Sequence, residues 1–229
     1  MPPQTHQTHG SQQDTGESQP CQPCQPSPPT LPIFTERPDS AKQTQFPLLK
    51  ELNLEDNTLV IFTSDNGPTF AGDSDPTFFN SAGPFRGLKG SVYEGRIRVP
   101  FIARWPGRIK PGSTSDHVSA FWDFLPTCCE LTGRQIPQDI DGVSMLPALL
   151  GRDNQKQHEY LYWELNGQQA IRVGDWKALR NKPWLDVELY NLAEDMGEKN
   201  NLAKASPDFA RRLTEMIEKN RTDSDVFPL

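Results

Sequence analysis

The chain has 229 residues with a formal net charge of -7, and hydrophobic residues make up 34% of it. This composition is too acidic for a scaffold held on nucleic acid by phosphate contacts. It contains no apolar run of the ~18 residues that a membrane span needs, and four cysteines are too few for a disulfide-built mini-protein of this length.

The first 30 residues hold only Met1, Cys21 and Cys24 of the hydrophobic set; Gln, Pro, Ser and Thr fill most of the rest. Such a segment cannot bury enough surface to offset its ordering entropy. Residues 1–45 are therefore expected to be a disordered, low-complexity tail. The opening MPPQTHQTHG has neither the basic nor the apolar stretch of a signal peptide. His6, His9, Cys21 and Cys24 have zinc-ligand spacing, but without apolar residues around them low complexity is the better account. Phe46-Pro-Leu-Leu-Lys-Glu-Leu reads as the end of an amphipathic helix, with Leu48, Leu49 and Leu52 on one side.

Thr58-Leu-Val-Ile-Phe-Thr-Ser64 is an apolar, β-branched run, expected to be a strand buried on both faces in a mainly parallel sheet. It stops at Asp65-Asn66-Gly67-Pro68, a strong turn signal. A glycine-rich loop runs from there to residue 96. Val99 to Trp105 reads as a second strand. Ser119 to Leu131 reads as a helix capped near Ser119, with Phe121, Phe124, Leu125 and Cys128 at helical spacing and the adjacent Cys128 and Cys129 as buried thiols. Asp141 to Gly151 predicts a turn and a short helix. Residues 160–190 alternate short strands with turn signals, the pattern of an antiparallel meander. Pro207 to Lys219 predicts a final helix with Phe209, Leu213, Met216 and Ile217 on its apolar face. The expected organisation is the tail, a core over 46–155, and a sheet-and-helix subdomain over 156–229.

Two motifs could carry chemistry. Asp65 and Asn66 stand where a strand ends, and a carboxylate beside an amide oxygen suits a hard cation such as Ca²⁺. An Asx-type turn without ligand explains the same residues. Lys89, in Gly87-Leu88-Lys89-Gly90, can present a point charge to an oxyanion or be a solvated loop lysine. His117 and His158 carry no partner pattern and are expected to be structural. Trp105 and Trp163, at strand ends, could be core or substrate-stacking residues.

Taken together, Asn57-TLVIFTSDNGP and GPFRGLKGSVYEGRIRVP up to Pro100 resemble the sulfatase family of the alkaline phosphatase superfamily. Asp123-Phe-Leu-Pro-Thr127, Asp141-Gly-Val-Ser144, Val173-Gly-Asp-Trp-Lys177 and Glu188-Leu-Tyr-Asn-Leu192 follow in the family's order, as does Glu198-Lys-Asn-Asn-Leu202. The resemblance implies an α/β fold: the C-terminal part of an alkaline-phosphatase-like α/β sandwich, with a small antiparallel sheet plus helix at its end. It implies Ca²⁺-dependent hydrolysis of sulfate esters through a formylglycine nucleophile, with small sulfate esters or sulfated glycans as substrates. It matches Asp65 and Asn66 to two metal ligands and Lys89 to the lysine that contacts the sulfate. Relatives are typically exported.

The departures are equally specific. The formylglycine motif, Cys/Ser-x-Pro-x-Arg, is absent. Cys24-Gln-Pro-Ser-Pro28 is similar to it but has Pro28 where the arginine belongs, and Arg96 replaces the second glycine of the family's Glu-Gly-Gly pattern. The chain is therefore expected to be the C-terminal half of a sulfatase with little turnover alone. A related phosphate- or phosphonate-ester hydrolase, or a remnant that binds a sulfated ligand or a partner without catalysis, are the competing readings. A half-sheet would also expose an unpaired edge and apolar surface.

Overall fold

A computed structural model describes residues 38–72 and 75–226, with side chains from residue 45 onward. The candidate zinc ligands His6, His9, Cys21 and Cys24 lie outside the described residues, as does most of the expected tail. The chain divides into two units between Gln45 and Phe46. Of the first, the description covers the backbone from Pro38, where helix α1 (Pro38–Glu51) begins. This helix starts inside the stretch expected to be irregular, and proline at its first position is preorganised for a helix start. All further elements belong to the second unit.

Strand β1 (Val60–Thr63) pairs antiparallel with β2 (Phe101–Arg104) in a two-stranded sheet, with Val60 opposite Arg104 and Phe62 opposite Ile102. The expected parallel neighbours and two-sided burial are not found among the described residues: Phe62 is 58% and Ile102 62% exposed. An apolar run reports a tendency to be covered and carries no information about strand direction.

The segment that follows β2 corrects a second expectation. A 3₁₀ turn (Phe121–Asp123) leads into α3 (Phe124–Leu131). Ser119 does not cap it; the Asp123 carboxylate instead accepts the Ala120 amide at 2.7 Å. Phe121, Leu125 and Cys128 are exposed. The buried face is that of Asp123, Pro126 and Thr127. These polar residues are inside because they satisfy loop amides. Asp123 Oδ1 accepts from Val143 N at 2.8 Å, and Thr127 Oγ1 accepts from Met145 N at 2.9 Å. His158 Nε2 lies 2.9 Å from Asp123 Oδ2. Asp123 thus fastens the loop before α4 (Leu146–Leu149) and the chain entering the next sheet.

That sheet is the expected meander. Strands β3 (Leu161–Leu165), β4 (Gln168–Val173), β5 (Trp176–Arg180) and β6 (Glu188–Asn191) pair antiparallel in sequence order. Ile171, Ala178 and Leu189 point to one face, where they pack with Ala210, Leu213 and Ile217 of α5 (Pro207–Lys219). The Trp176 and Phe209 rings meet edge to face at 5.1 Å. The other face carries Ala170, Leu179 and Tyr190, which pack with Val92 and Tyr93 of the glycine-rich loop. This is period-2 alternation with both faces covered. The meander is a platform, held from below by α5, on which the loop carrying Lys89 lies. No described helix is long and apolar enough to cross a membrane.

Candidate active site

Three glycines shape the site. β1 ends at Thr63, and the Ser64 hydroxyl donates to the Asn66 carbonyl at 2.9 Å. Gly67 N donates to Arg96 O at 2.8 Å, Lys89 N donates to Pro68 O at 2.9 Å, and Gly95 N donates to Arg86 O at 2.7 Å. The loop over 86–96 is thereby stitched to the corner after β1. A Cβ on Gly67 would collide with the Gly95 carbonyl and the Arg96 Cα, and one on Gly95 would collide with the carbonyls of Gly87 and Arg86. Backbone lies against backbone here, so side chains at 67 and 95 are excluded by space. Gly87, at φ 84°, additionally needs the left-handed conformation.

The stitching brings Asp65, Asn66 and Lys89 to the wall of one cavity of about 1330 Å³. Arg96, His117 and Trp163 line it too. The Asn66 amide Nδ2 donates to Asp65 Oδ1, which leaves Asn66 Oδ1 shielded from solvent with no hydrogen-bond partner. An orphaned amide oxygen beside an exposed carboxylate is the donor pair that a hard cation takes up. The fit is partial. Ca²⁺ takes about six to eight oxygens, and among the described residues no group of three His, Cys, Asp or Glu could hold a metal. Asp75 accepts the Thr77 and Phe78 amides and so caps its own turn; its neighbour Asp73 lies outside the described residues.

Behind the wall is a buried charge network. Lys177, fully buried in β5, places Nζ 2.8 Å from Glu94 Oε1 and 2.8 Å from Glu198 Oε1. Glu198 Oε2 accepts the Glu94 amide at 2.7 Å. Glu94 Oε2 takes Arg98 Nε at 2.9 Å, with Arg172 at 3.9 Å. Burial raises the Glu94 carboxyl, but Lys177, Arg98 and Arg172 outweigh it and hold the group below its ordinary value. At Glu198 burial prevails over Lys177, and the carboxyl sits above it. Glu198 has φ 52°, a left-handed conformation that non-glycine residues adopt at some cost. The network ties the loop's one-turn helix α2 (Glu94–Ile97) to the meander. Lys177 and Glu198 were among the residues of the family resemblance, but their spacing gave no sign of this pairing.

The remaining aromatic and histidine residues divide. Trp105 is core: its Nε1 donates to Asp56 O at 2.9 Å. Trp163 faces the cavity and lies 6.3 Å from the Trp122 ring. His158 serves Asp123. His117, at the cavity wall, is held below its ordinary pKa by burial, and its Nδ1 lies 3.3 Å from Gln157 Oε1.

The model of the N-sulphoglucosamine sulphohydrolase C-terminal family matches residues 88–223, and the sulfatase model matches residues 41–134. N-acetylgalactosamine-6-O-sulfatase of Bacteroides thetaiotaomicron is 35% identical over 196 residues, covering 76% of this chain and 38% of that protein. Human arylsulfatase A is 32% identical over 216 residues, covering 78% and 40%. Among solved structures, Ps i-CgsB superposes with a TM-score of 0.66 at 28% identity, over 79% of this chain and 40% of that one. A Bacteroides thetaiotaomicron structure from work on glycosaminoglycan metabolism gives 0.63 at 34% identity, over 76% and 41%. The chain belongs to the sulfatase family. It spans about two fifths of the length of these curated relatives.

Proposed function

We propose that the chain supplies one wall of a sulfuric-ester hydrolase site, with a sulfated sugar as the substrate class. The observation that carries this reading is the convergence of Asp65, Asn66 and Lys89 on one cavity in a chain of this family. Asp65 Oδ and Asn66 Oδ1 would hold Ca²⁺. The cation, when bound, would neutralise charge on the sulfate oxygens. Lys89 would place its ammonium against those oxygens and against charge developing towards the leaving alcohol, which is electrostatic stabilisation of the transition state. The stitched backbone from Gly67 to Arg96 would keep ammonium and corner at a fixed separation, so little reorganisation accompanies the reaction. The sulfated-sugar class rests on the name of the Bacteroides N-acetylgalactosamine-6-O-sulfatase.

The test is sulfate release from 4-nitrophenyl sulfate and N-acetylgalactosamine 6-sulfate by the purified chain, with and without a chelator, for wild type and Lys89→Ala. Release that needs Ca²⁺ and Lys89 supports the hydrolase. The small number of oxygen donors in the described residues favours a second reading, binding of the sulfated ligand without turnover. Ca²⁺- and Lys89-dependent binding with no sulfate released would support that one. Ligand binding indifferent to both the chelator and Lys89→Ala would contradict the two readings alike.

A further inference from the structure

Arg96 differs from the other arginines of the cavity wall. Arg98 and Arg172 both face Glu94, and Arg172 also donates to the Gly174 carbonyl. Arg96 makes no ion pair with any described residue, and its Nε is shielded from solvent with no hydrogen-bond partner. Leaving such a donor unpaired is destabilising, so the unpaired state calls for a physical reason. The main chain at this position is fixed. Arg96 N donates to Tyr93 O at 3.1 Å, and Arg96 O accepts Gly67 N at 2.8 Å. The residue is pinned beside the Asp65–Asn66 corner. Lys89 is pinned beside it in the same way, one residue further along, through Pro68. Two cations without counter-ions among the described residues therefore flank the corner in one cavity.

We infer that Arg96 is a specificity-determining residue that takes a second anionic group of the substrate, a carboxylate or a further sulfate, while Lys89 faces the sulfate ester itself. The inference rests on the hydrolase-site reading above. The unpaired guanidinium fork matches two oxygens of either oxyanion, with Nε reached on a change of the Arg96 rotamer. One ligand then satisfies the orphaned donor and neutralises the remaining charge. Arg96 discriminates between sugars by their anion count and takes no part in the bond cleavage.

Binding by the full chain at low salt tests this with three probes: N-acetylgalactosamine 6-sulfate, N-acetylgalactosamine 4,6-disulfate, and the glucuronate-linked disaccharide of the 6-sulfate. Wild type should bind at least one dianionic probe about 10-fold more tightly than the monosulfate, the size of one good charge-assisted contact. Which dianion gains identifies sulfate or carboxylate as the group read. Arg96→Gln should bring that ratio to about 2-fold or less by weakening the dianion more than the monosulfate, while Lys89→Ala weakens all three probes and keeps the ratio. Arg96→Gln should also melt at or above the wild-type temperature, since it removes an unpaired charge; Arg96→Lys should retain part of the preference. Equal wild-type affinities, a ratio unchanged in Arg96→Gln, or equal weakening of every probe by Arg96→Gln would overturn the inference and leave the hydrolase site standing. No binding of any probe would remove both.

Discussion

Replacing Lys177 with methionine removes the one cation placed between two buried carboxylates. Met is close to Lys in length, so the perturbation is chiefly electrostatic. Glu94 keeps Arg98 at 2.9 Å, whereas among the described residues the Glu198 carboxylate keeps only the Glu94 amide. Breaking a buried pair in this way costs about 3–5 kcal/mol, against a typical total of about 5–15 kcal/mol. The loss should depend on pH with a definite sign. In wild type the lowered Glu94 carboxyl contributes stability above its ordinary value, lost as pH falls through its folded value. The raised Glu198 carboxyl works oppositely: its contribution is complete below the ordinary value and lost as pH rises through the folded one. In Lys177→Met both carboxyls move up, so protonation relieves the variant. Urea unfolding at pH 8 and pH 5 reads this directly. The deficit should be largest at pH 8 and shrink by pH 5. If the variant does not fold, Lys177→Met with Glu94→Gln and Glu198→Gln should recover the fold. A deficit below about 1 kcal/mol at pH 8, or one that grows on acidification, would refute the assignment of a buried pair.

Gly67→Ala should destabilise by about 2 kcal/mol or more and weaken sulfated-ligand binding with it, because its Cβ displaces the Gly95 carbonyl; urea melts and ligand titration measure the two. Asp123→Ala leaves the Ala120 and Val143 amides without their acceptor and should cost about 3 kcal/mol by the same melts. Ile102→Lys should reduce concentration-dependent self-association in sedimentation velocity, because Ile102 and Phe62 form an exposed apolar pair on the two-stranded sheet. A wild-type chain that sediments as a monomer at all concentrations would contradict that expectation.

The elements legible in the sequence are those whose stability is local. The amphipathic repeat of Phe209, Leu213 and Ile217 has one solution, a helix laid on a sheet, and α5 has the expected bounds. The turn signals between residues 160 and 190 fix a meander because hairpins are short-range. The strand at Val60 was legible as a strand, but its partner was not, since pairing with Phe101–Arg104 depends on chain far away. In the segment after Ser119 the pattern misled. Phe121, Phe124, Leu125 and Cys128 stood at helical spacing, yet it is Asp123 and Thr127 that are inside, because amides of residues 143 and 145 need acceptors. The same holds for Lys177, whose burial depends on two glutamates from distant loops. Asp65, Asn66 and Lys89 stood out in the sequence through their turn and glycine context. Arg96 stood out only as a substitution in a glycine pattern; its unpaired Nε is a property of the folded wall.

The central claim is that the corner at Asp65–Asn66 and the lysine at 89 act on one ligand. Backbone amide NMR of the full chain, titrated first with Ca²⁺ and then with N-acetylgalactosamine 6-sulfate, tests it most directly. The account predicts that Ca²⁺ moves the amide resonances of residues 65–67 and that the sugar then moves those around Lys89, with the second set lost in Asp65→Ala. Sugar-induced shifts on the α5 side of the meander with residues 65–67 and 89 silent, or no response to either ligand, would contradict it.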